Sequence, residues 1–335
     1  SYLNKDFFLI YIVVKKIIRV TSPARIHLGF LETDENSFRK FGSLGLAISN
    51  FENIFKIESS TKNIVVSEDS KLKKDIMRII KFFEKFERIK KCKITVLKKI
   101  PAHIGLGSGT QQNLTVGHLL SEFNNLNLSI RKISEWLNRG KRSGIGVETF
   151  KNGGFIIDSG KKSKALPLTI FSTKWPKEWK IILITTSKKK GLFGKDENKV
   201  FKNLKKSRQS YVEENCYATL MKIIPGILEK DFFNFSAGIQ VVQNNMSNFF
   251  YGSKDKYGNN NLTQIFRFLK IRNYRGFGQS SWGPTGFIFC ESKESGELLL
   301  KDIKKFIELK KIQGINLLLV DGRNKGKTKT TRIEK

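Results

Sequence analysis

The sequence predicts an α+β protein in two lobes, on three observations. A strand, a glycine-rich loop and a helix follow one another directly in the first half. Lys93–Leu97 alternates with β-branched residues, Pro101–Gln111 holds Gly105, Gly107 and Gly109, and Val116, Leu119, Leu120, Phe123 and Leu126 recur at helical spacing. Elsewhere strands and helices alternate without the regular βαβ repeat of a parallel sheet. A polar stretch with Pro167 and Pro176 then breaks the apolar pattern and puts the junction at residues 160–175. The expected units are a lobe at 1–165, a lobe at 166–323 and a frayed basic tail at 324–335.

Taken in order, the apolar run Phe7–Val14, continued by Ile17-Ile18-Arg19-Val20, predicts a buried first strand. It is too short to span a bilayer, and no small-residue cleavage pattern marks a signal peptide. Pro23–Gly29 and Phe41–Leu46 predict turns; Arg25 and His27, two apart, share a face where the backbone is extended. Asp75–Phe86 is an amphipathic helix with Ile76, Ile79, Ile80, Phe83 and Phe86 on one side. Ser129 caps a helix carrying Ile130, Ile133, Trp136 and Leu137, which Gly140 ends. A turn at Ser143–Gly146 leads past Glu148 to a strand at Gly154–Asp158. In the second lobe Trp179–Thr185 is a buried strand and Gly191–Asp196 a loop. A long helical region then carries Tyr217, Leu220, Met221, Ile224 and Leu228. Strands at Gly286–Cys290 and Asn316–Val320 flank a helix near Gly296–Leu309.

The formal net charge of +32 attracts polyanions, unless it is simply a lysine-rich composition. Its lysines are spread along the chain and no aromatic RNA-binding motif is interleaved with them. The reading favoured is the compositional one, with a general steering benefit for anionic substrates, over nucleic-acid binding. Cys92, Cys216 and Cys290 form neither a metal spacing nor a disulfide framework, so a reducing cytoplasm is expected, with no membrane partner.

The glycine loop carries the chemistry. Gly105, Gly107 and Gly109 let backbone N–H groups approach an anion, and Ser108, Thr110 and Gln111 add side-chain donors. The following helix turns its positive end to the same spot, so the guest is a phosphate or diphosphate. No Lys-Ser or Lys-Thr pair closes the loop, which excludes the Walker pattern. Arg25, His27 and His103 stand in or beside glycine-flanked segments. Gly276–Thr285 gathers Gln279, Ser280, Ser281 and Trp282, donors on a flexible backbone with one ring that covers a ligand or plugs the core. Carboxylates near glycine turns are few: Glu148, Asp158, Asp196, Glu197 and Asp321 each suit a surface charge or cap better than a metal ligand, and the metal ligands stay unassigned.

Together these segments resemble the GHMP kinase superfamily, whose second motif is a Pro-x-x-x-Gly-Leu-Gly-Ser-Ser loop matched by Pro101–Ser108. Within it the chain most resembles the β-ribofuranosylaminobenzene 5′-phosphate synthases, through Pro23–Gly29, Phe41–Ile48, Gly105–Gly117, Arg142–Gly154, Gly191–Phe201 and Gly278–Pro284. The resemblance implies a ribosomal protein S5 domain 2-like lobe and a ferredoxin-like lobe, often paired as a homodimer. It implies condensation of phosphoribosyl pyrophosphate with 4-aminobenzoate, assisted by Mg²⁺. CO₂ and pyrophosphate leave, and the product begins tetrahydromethanopterin. The roles implied are phosphate binding for His103, Gly105, Gly107, Ser108, Gly109, Thr110, Gln111, Arg142 and Ser143, and catalysis for Arg25, His27, Glu148 and Gln279. Ser280, Ser281 and Trp282 line the aryl pocket. Two departures from the kinases fit this branch: Gly146 stands where they carry a catalytic aspartate, and Gly109 replaces the second loop serine. The alternatives are an ATP-dependent small-molecule kinase using Glu148 as a relocated base, or a basic nucleic-acid-binding protein.

Overall fold

The computed structural model describes residues 15–34, 37–162, 165–186, 209–251, 257, 260–281 and 283–334. Phe7–Val14, the Gly191–Phe201 segment with Asp196 and Glu197, and Trp282 lie outside the described residues.

The first sheet has seven strands. Its spine is the hairpin of β1 (Lys15–Phe30) and β2 (Ser43–Ser59). β4 (Cys92–Lys98) and the short parallel β3 (Ile64–Val66) extend one half of β2, while β5 (Phe155–Asp158) and β6 (Thr169–Thr173) extend the other. Two of the expected turns are therefore strand. Pro23–Gly29 continues β1 through bulges at Pro23/Ala24 and His27/Gly29, and Phe41–Leu46 enters β2 at Ser43. Proline cannot donate to the ladder and Gly29 takes a φ of +127°, so these punctuation residues bend the strand without ending it. The predicted frayed tail is also corrected: β11 (Thr328–Glu334) pairs antiparallel with β1. The first sheet includes β6, past residue 165.

Four helices cover this sheet: α1 (Ser70–Phe86), α2 (Ser108–Phe123), α3 (Ile130–Trp136) and α4 (Ile145–Lys151). Asp69 caps α1, whose predicted stripe buries Ile76, Ile79, Ile80 and Phe83 but leaves Phe86 exposed. Ser129 caps α3 as expected, though the helix closes at Leu137, ahead of Gly140.

The second sheet runs β10 (Ile315–Asp321), β7 (Lys180–Thr186), β9 (Gly286–Cys290), β8 (Phe277–Gln279), all antiparallel. Helices α8 (Asn260–Ile271) and α9 (Lys293–Leu309) pack Ile265, Phe266, Leu269, Leu299 and Ile303 onto Ile182, Ile184 and Ile288 of this sheet. The central order of a βαββαβ unit results, which is the ferredoxin-like lobe. Its opposite face, with Ile181, Leu183, Phe287 and Phe289, shares one core with Ile26 and Leu28 of β1 and with Trp175, Trp179 and Phe235.

Between the lobes lie α5 (Gln209–Ala218), a π turn (Thr219–Ile223), α6 (Ile224–Glu229) and the long α7 (Phe232–Tyr251). The π turn changes which residues face inward. Ala218, Ile223 and Ile227 are buried, while Tyr217, Leu220, Met221 and Leu228 are exposed.

Candidate active site

The glycine loop sits where β1, α2 and the turn after β8 converge. Gly107, with a φ of +79°, stands at the N-cap of α2, so no side chain caps that helix and none of its first-turn residues is acidic. Its leading N–H groups are left for a ligand, where the helix dipole favours an anion. Arg25 holds the loop from below: its N–H donates to Leu106 O at 3.2 Å and its Nη1 to Gly105 O at 2.7 Å. A Cβ on Gly107 would stand 3.1 Å from Arg25 Cγ. From the other side Ser280 Oγ donates to Gly105 O at 2.8 Å and accepts from His27 N at 3.0 Å. Ser280 is fully buried, so its hydroxyl ties loop, strand and turn together and does not line a ligand pocket.

A cleft of about 620 Å³ opens in front of the loop. One wall is polar, with Arg25, Lys71, His103, Gly107, Thr110 and Arg139; the other is apolar, from Ile76, Ile79 and Phe82 of α1 to Trp136 and Leu137. His103 Nε2 lies 3.4 Å from Lys71 Nζ. Arg139, which sequence reasoning missed, is anchored beside the loop. With the Asn113 amide turned so that both its groups are satisfied, its oxygen accepts from Arg139 Nη2 at 2.6 Å and Nε at 2.7 Å. The Asn113 nitrogen then donates to Gly109 O at 3.1 Å. Burial lowers the guanidinium's pKa and Asp75 opposes this; arginine stays charged throughout the working range. No local pattern marks Arg139, because it enters the site from beyond the end of α3.

His27 is 4% exposed, and burial, then Arg25, pushes its imidazole down to about 3. It is neutral at working pH and a weak base. Gly29 N donates to Nδ1 at 3.3 Å, which leaves the proton on Nε2. Nε2 has no hydrogen-bond partner among the described residues, and a buried donor left in that state costs about 1–3 kcal/mol. Gln279 is buried and donates to Gly283 O at 2.8 Å; Ser281 lines the cleft and also a small chamber behind it, next to His27.

Several predicted residues stand elsewhere. Gln111 is fully buried and donates from Nε2 to Gly146 O at 2.7 Å, joining α2 to α4. Ser143 shares a 2.7 Å hydrogen bond with Ser43, and neither it nor Arg142 is on the cleft wall. Glu148 bonds Asn152 within α4, also off the wall. Asp158 is no surface charge. It is buried and accepts from Ser43 Oγ at 2.5 Å, Gly144 N at 3.0 Å and Gly160 N at 2.8 Å, and burial pushes its carboxyl up to about 6. A Cβ on Gly146 would lie 3.0 Å from Thr110 Cγ2.

Comparison with known proteins agrees with this anatomy. The profile of the GHMP kinase N-terminal domain matches residues 74–154, which span α1, the loop and α4. Homoserine kinase from Cytophaga hutchinsonii superposes with a TM-score of 0.69 at 17% identity, over 94% of this chain and 97% of that one. Mevalonate diphosphate decarboxylase from Staphylococcus aureus gives 0.66 at 14% identity, over 94% and 98%. Residues 74–154 thus match the GHMP kinase N-terminal domain, and the chain shares the fold of these solved proteins. In sequence the chain is similar to the β-ribofuranosylphenol 5′-phosphate synthase of Archaeoglobus fulgidus, 29% identical over 85% of this chain and 92% of the relative. The Methanocaldococcus jannaschii protein of the same name is 29% identical over 82% and 90%. The resemblance to the synthase branch of the GHMP proteins, drawn from the motifs, therefore holds across most of the chain.

Proposed function

We propose that the chain is a phosphoribosyltransferase. It joins phosphoribosyl pyrophosphate to a para-substituted benzoate, and pyrophosphate and CO₂ leave. The observation that carries this reading is a diphosphate cradle with no carboxylate in its glycine loop. The uncapped start of α2, Arg25 and Arg139 surround the loop, His27 is neutral, and glycine stands at 146.

The pyrophosphate lies against the N–H groups opening α2, with Arg25 and Arg139 beside it. As the anomeric C–O bond breaks, its electron pair departs on pyrophosphate, and these donors stabilise the growing charge. The ring carbon bearing the carboxylate supplies the pair for the new C–C bond. The C–CO₂ bond then breaks, its pair restores the aromatic ring, and CO₂ leaves. No proton is taken from that carbon, so the reaction needs no carboxylate there. Mg²⁺ fits the donor set: Asp69 and Asp75 line the cleft, and one or two carboxylates beside diphosphate oxygens suffice. When bound it would neutralise the leaving group.

The motif resemblance implies 4-aminobenzoate as acceptor, whereas the relatives' name carries a phenol, and both rings suit this chemistry. Such a substrate fits a protein of the cytoplasm, and no helix among the described residues is long and apolar enough to cross a membrane. Purified protein incubated with Mg²⁺, phosphoribosyl pyrophosphate and carboxyl-labelled 4-aminobenzoate or 4-hydroxybenzoate should release labelled CO₂ and pyrophosphate in equal amounts. Transfer of the ATP γ-phosphoryl to an alcohol, with no CO₂ from either acid, would establish the kinase instead.

A further inference from the structure

Resting on that transferase reading, we infer that the acceptor ring lies on the apolar wall of the cleft, with Trp136 as its platform. The motif resemblance implied an aryl pocket at Ser280–Trp282, yet Ser280 is fully buried and its hydroxyl is committed to Gly105 O and His27 N. The cleft is about 620 Å³, and a diphosphate engages its polar wall. Ile76, Ile79, Phe82, Trp136 and Leu137 line the same space and offer nothing to a phosphate. A wall of that kind suits a flat apolar ligand.

The wall is more aromatic than core packing requires. Helix α1 already buries Ile76, Ile79, Ile80 and Phe83, whereas Phe82 and Trp136 are half-buried and Phe86 is exposed. The Phe82 and Phe86 ring centroids are 4.8 Å apart, and Phe86 lies 5.6 Å from Trp136. Phe83 meets the indole edge to face at 5.6 Å, with 72° between the planes. The buried Phe83 thus fixes Trp136 from the core side, and an aromatic surface is left along the cleft.

The same segment reaches the anion loop. Trp136 ends α3, and Arg139 follows three residues later. Asn138 takes a φ of +59° and Arg139 N donates to Ser134 O at 2.8 Å, so the chain folds back and carries the Arg139 guanidinium to Asn113 and Gly109. Beyond its own helix, a Cβ on Gly109 would meet only Arg139 Nη1 among the described residues, at 3.9 Å, so the loop is open there. One short stretch therefore holds both a ring platform and a cation for the diphosphate, which keeps acceptor and leaving group at a fixed separation. Binding by the ring faces also suits the chemistry. The acceptor's carboxylate leaves as neutral CO₂, so a strong ion pair to it would favour the starting acid over the transition state. Contacts to the ring persist while the C–C bond forms and the C–CO₂ bond breaks.

The test follows release of CO₂ and pyrophosphate from carboxyl-labelled 4-aminobenzoate and 4-hydroxybenzoate in the wild type, Trp136→Ala and Trp136→Phe. Trp136→Ala should raise the KM of the acid that is used by roughly 10-fold or more and leave that of phosphoribosyl pyrophosphate within about two-fold. Trp136→Phe, which keeps a ring, should recover most of the loss. An indole that only props α3 against α1 would weaken both substrates together. That result, or an unchanged KM for the acid, overturns the inference and leaves the transferase reading standing. A second readout needs neither turnover nor a folded alanine variant. 4-Nitrobenzoate added with pyrophosphate should quench tryptophan emission saturably in the wild type and much less in Trp136→Phe; equal quenching in the two overturns the inference. CO₂ from neither acid with the wild type removes the transferase reading, and this inference with it.

Discussion

Arg25 uses one guanidinium and its own backbone to hold the loop that binds the anion, and it stands on the cleft wall. Arg25→Ala should therefore lower kcat/KM by about 100-fold or more, since it removes a preorganised cation and frees the loop. Steady-state pyrophosphate release measures this, and unchanged turnover would take Arg25 out of the site. Gly107→Ala forces a side chain into φ +79° against Arg25, costing about 1–2 kcal/mol in unfolding free energy along with substrate affinity. Asp158 gives a pH signature. Burial raises its carboxyl from 3.8 to about 6, so the folded protein keeps this proton to higher pH than the unfolded chain does. Its contribution to stability is complete below the lower value and is lost as pH rises through the higher one. The unfolding free energy of wild type minus that of Asp158→Asn should fall by on the order of 3 kcal/mol between about pH 4 and about pH 7. Parallel curves in denaturant titrations would contradict the assignment. The loop, Arg25 and His27 were readable in the sequence because glycine spacing and i, i+2 placement are local. Arg139 was not, since only tertiary packing brings it to Gly109. Gln111 and Ser280 carried the right chemistry for donors, but their hydrogen bonds are spent on neighbouring backbone.

Strand β11 illustrates a different limit. Thr328–Glu334 is polar and basic, which as sequence describes a solvated tail, yet all seven of its residues pair with β1. Edge strands carry few apolar residues and many lysines by design against aggregation, so their composition mimics disorder. Ending the chain at Lys327 would uncover the hydrogen-bonding edge of β1. The expected result is a lower melting temperature and concentration-dependent light scattering on warming; a shortened protein that melts like the full chain would show the pairing to be dispensable. The strands β5, β7, β9 and β10 and the helices α1, α2 and α9 were recovered from periodicity within a few residues. The inward face after α5 was not. A π turn advances five residues where the α-helix advances about four, so a 3.6-residue pattern loses register across Thr219–Ile223.

Across the whole molecule the two lobes share one apolar core, and the surface carries the large positive charge. A field of that sign raises the encounter rate of polyphosphorylated substrates and is screened by salt. The KM for phosphoribosyl pyrophosphate should rise several-fold between low and physiological ionic strength, while kcat holds. A KM indifferent to salt would mean that the charge is compositional only. The join between lobes has a further consequence at Gly105 and Gly283. A Cβ on Gly283 would lie 2.4 Å from Gly105 Cα, and one on Gly105 would lie 2.6 Å from Ser280 O. Main chain rests on main chain there, pinned by the Ser280 hydroxyl on Gly105 O. The anion loop and the C-terminal turn are then expected to move together, since any side chain at either glycine would drive them apart.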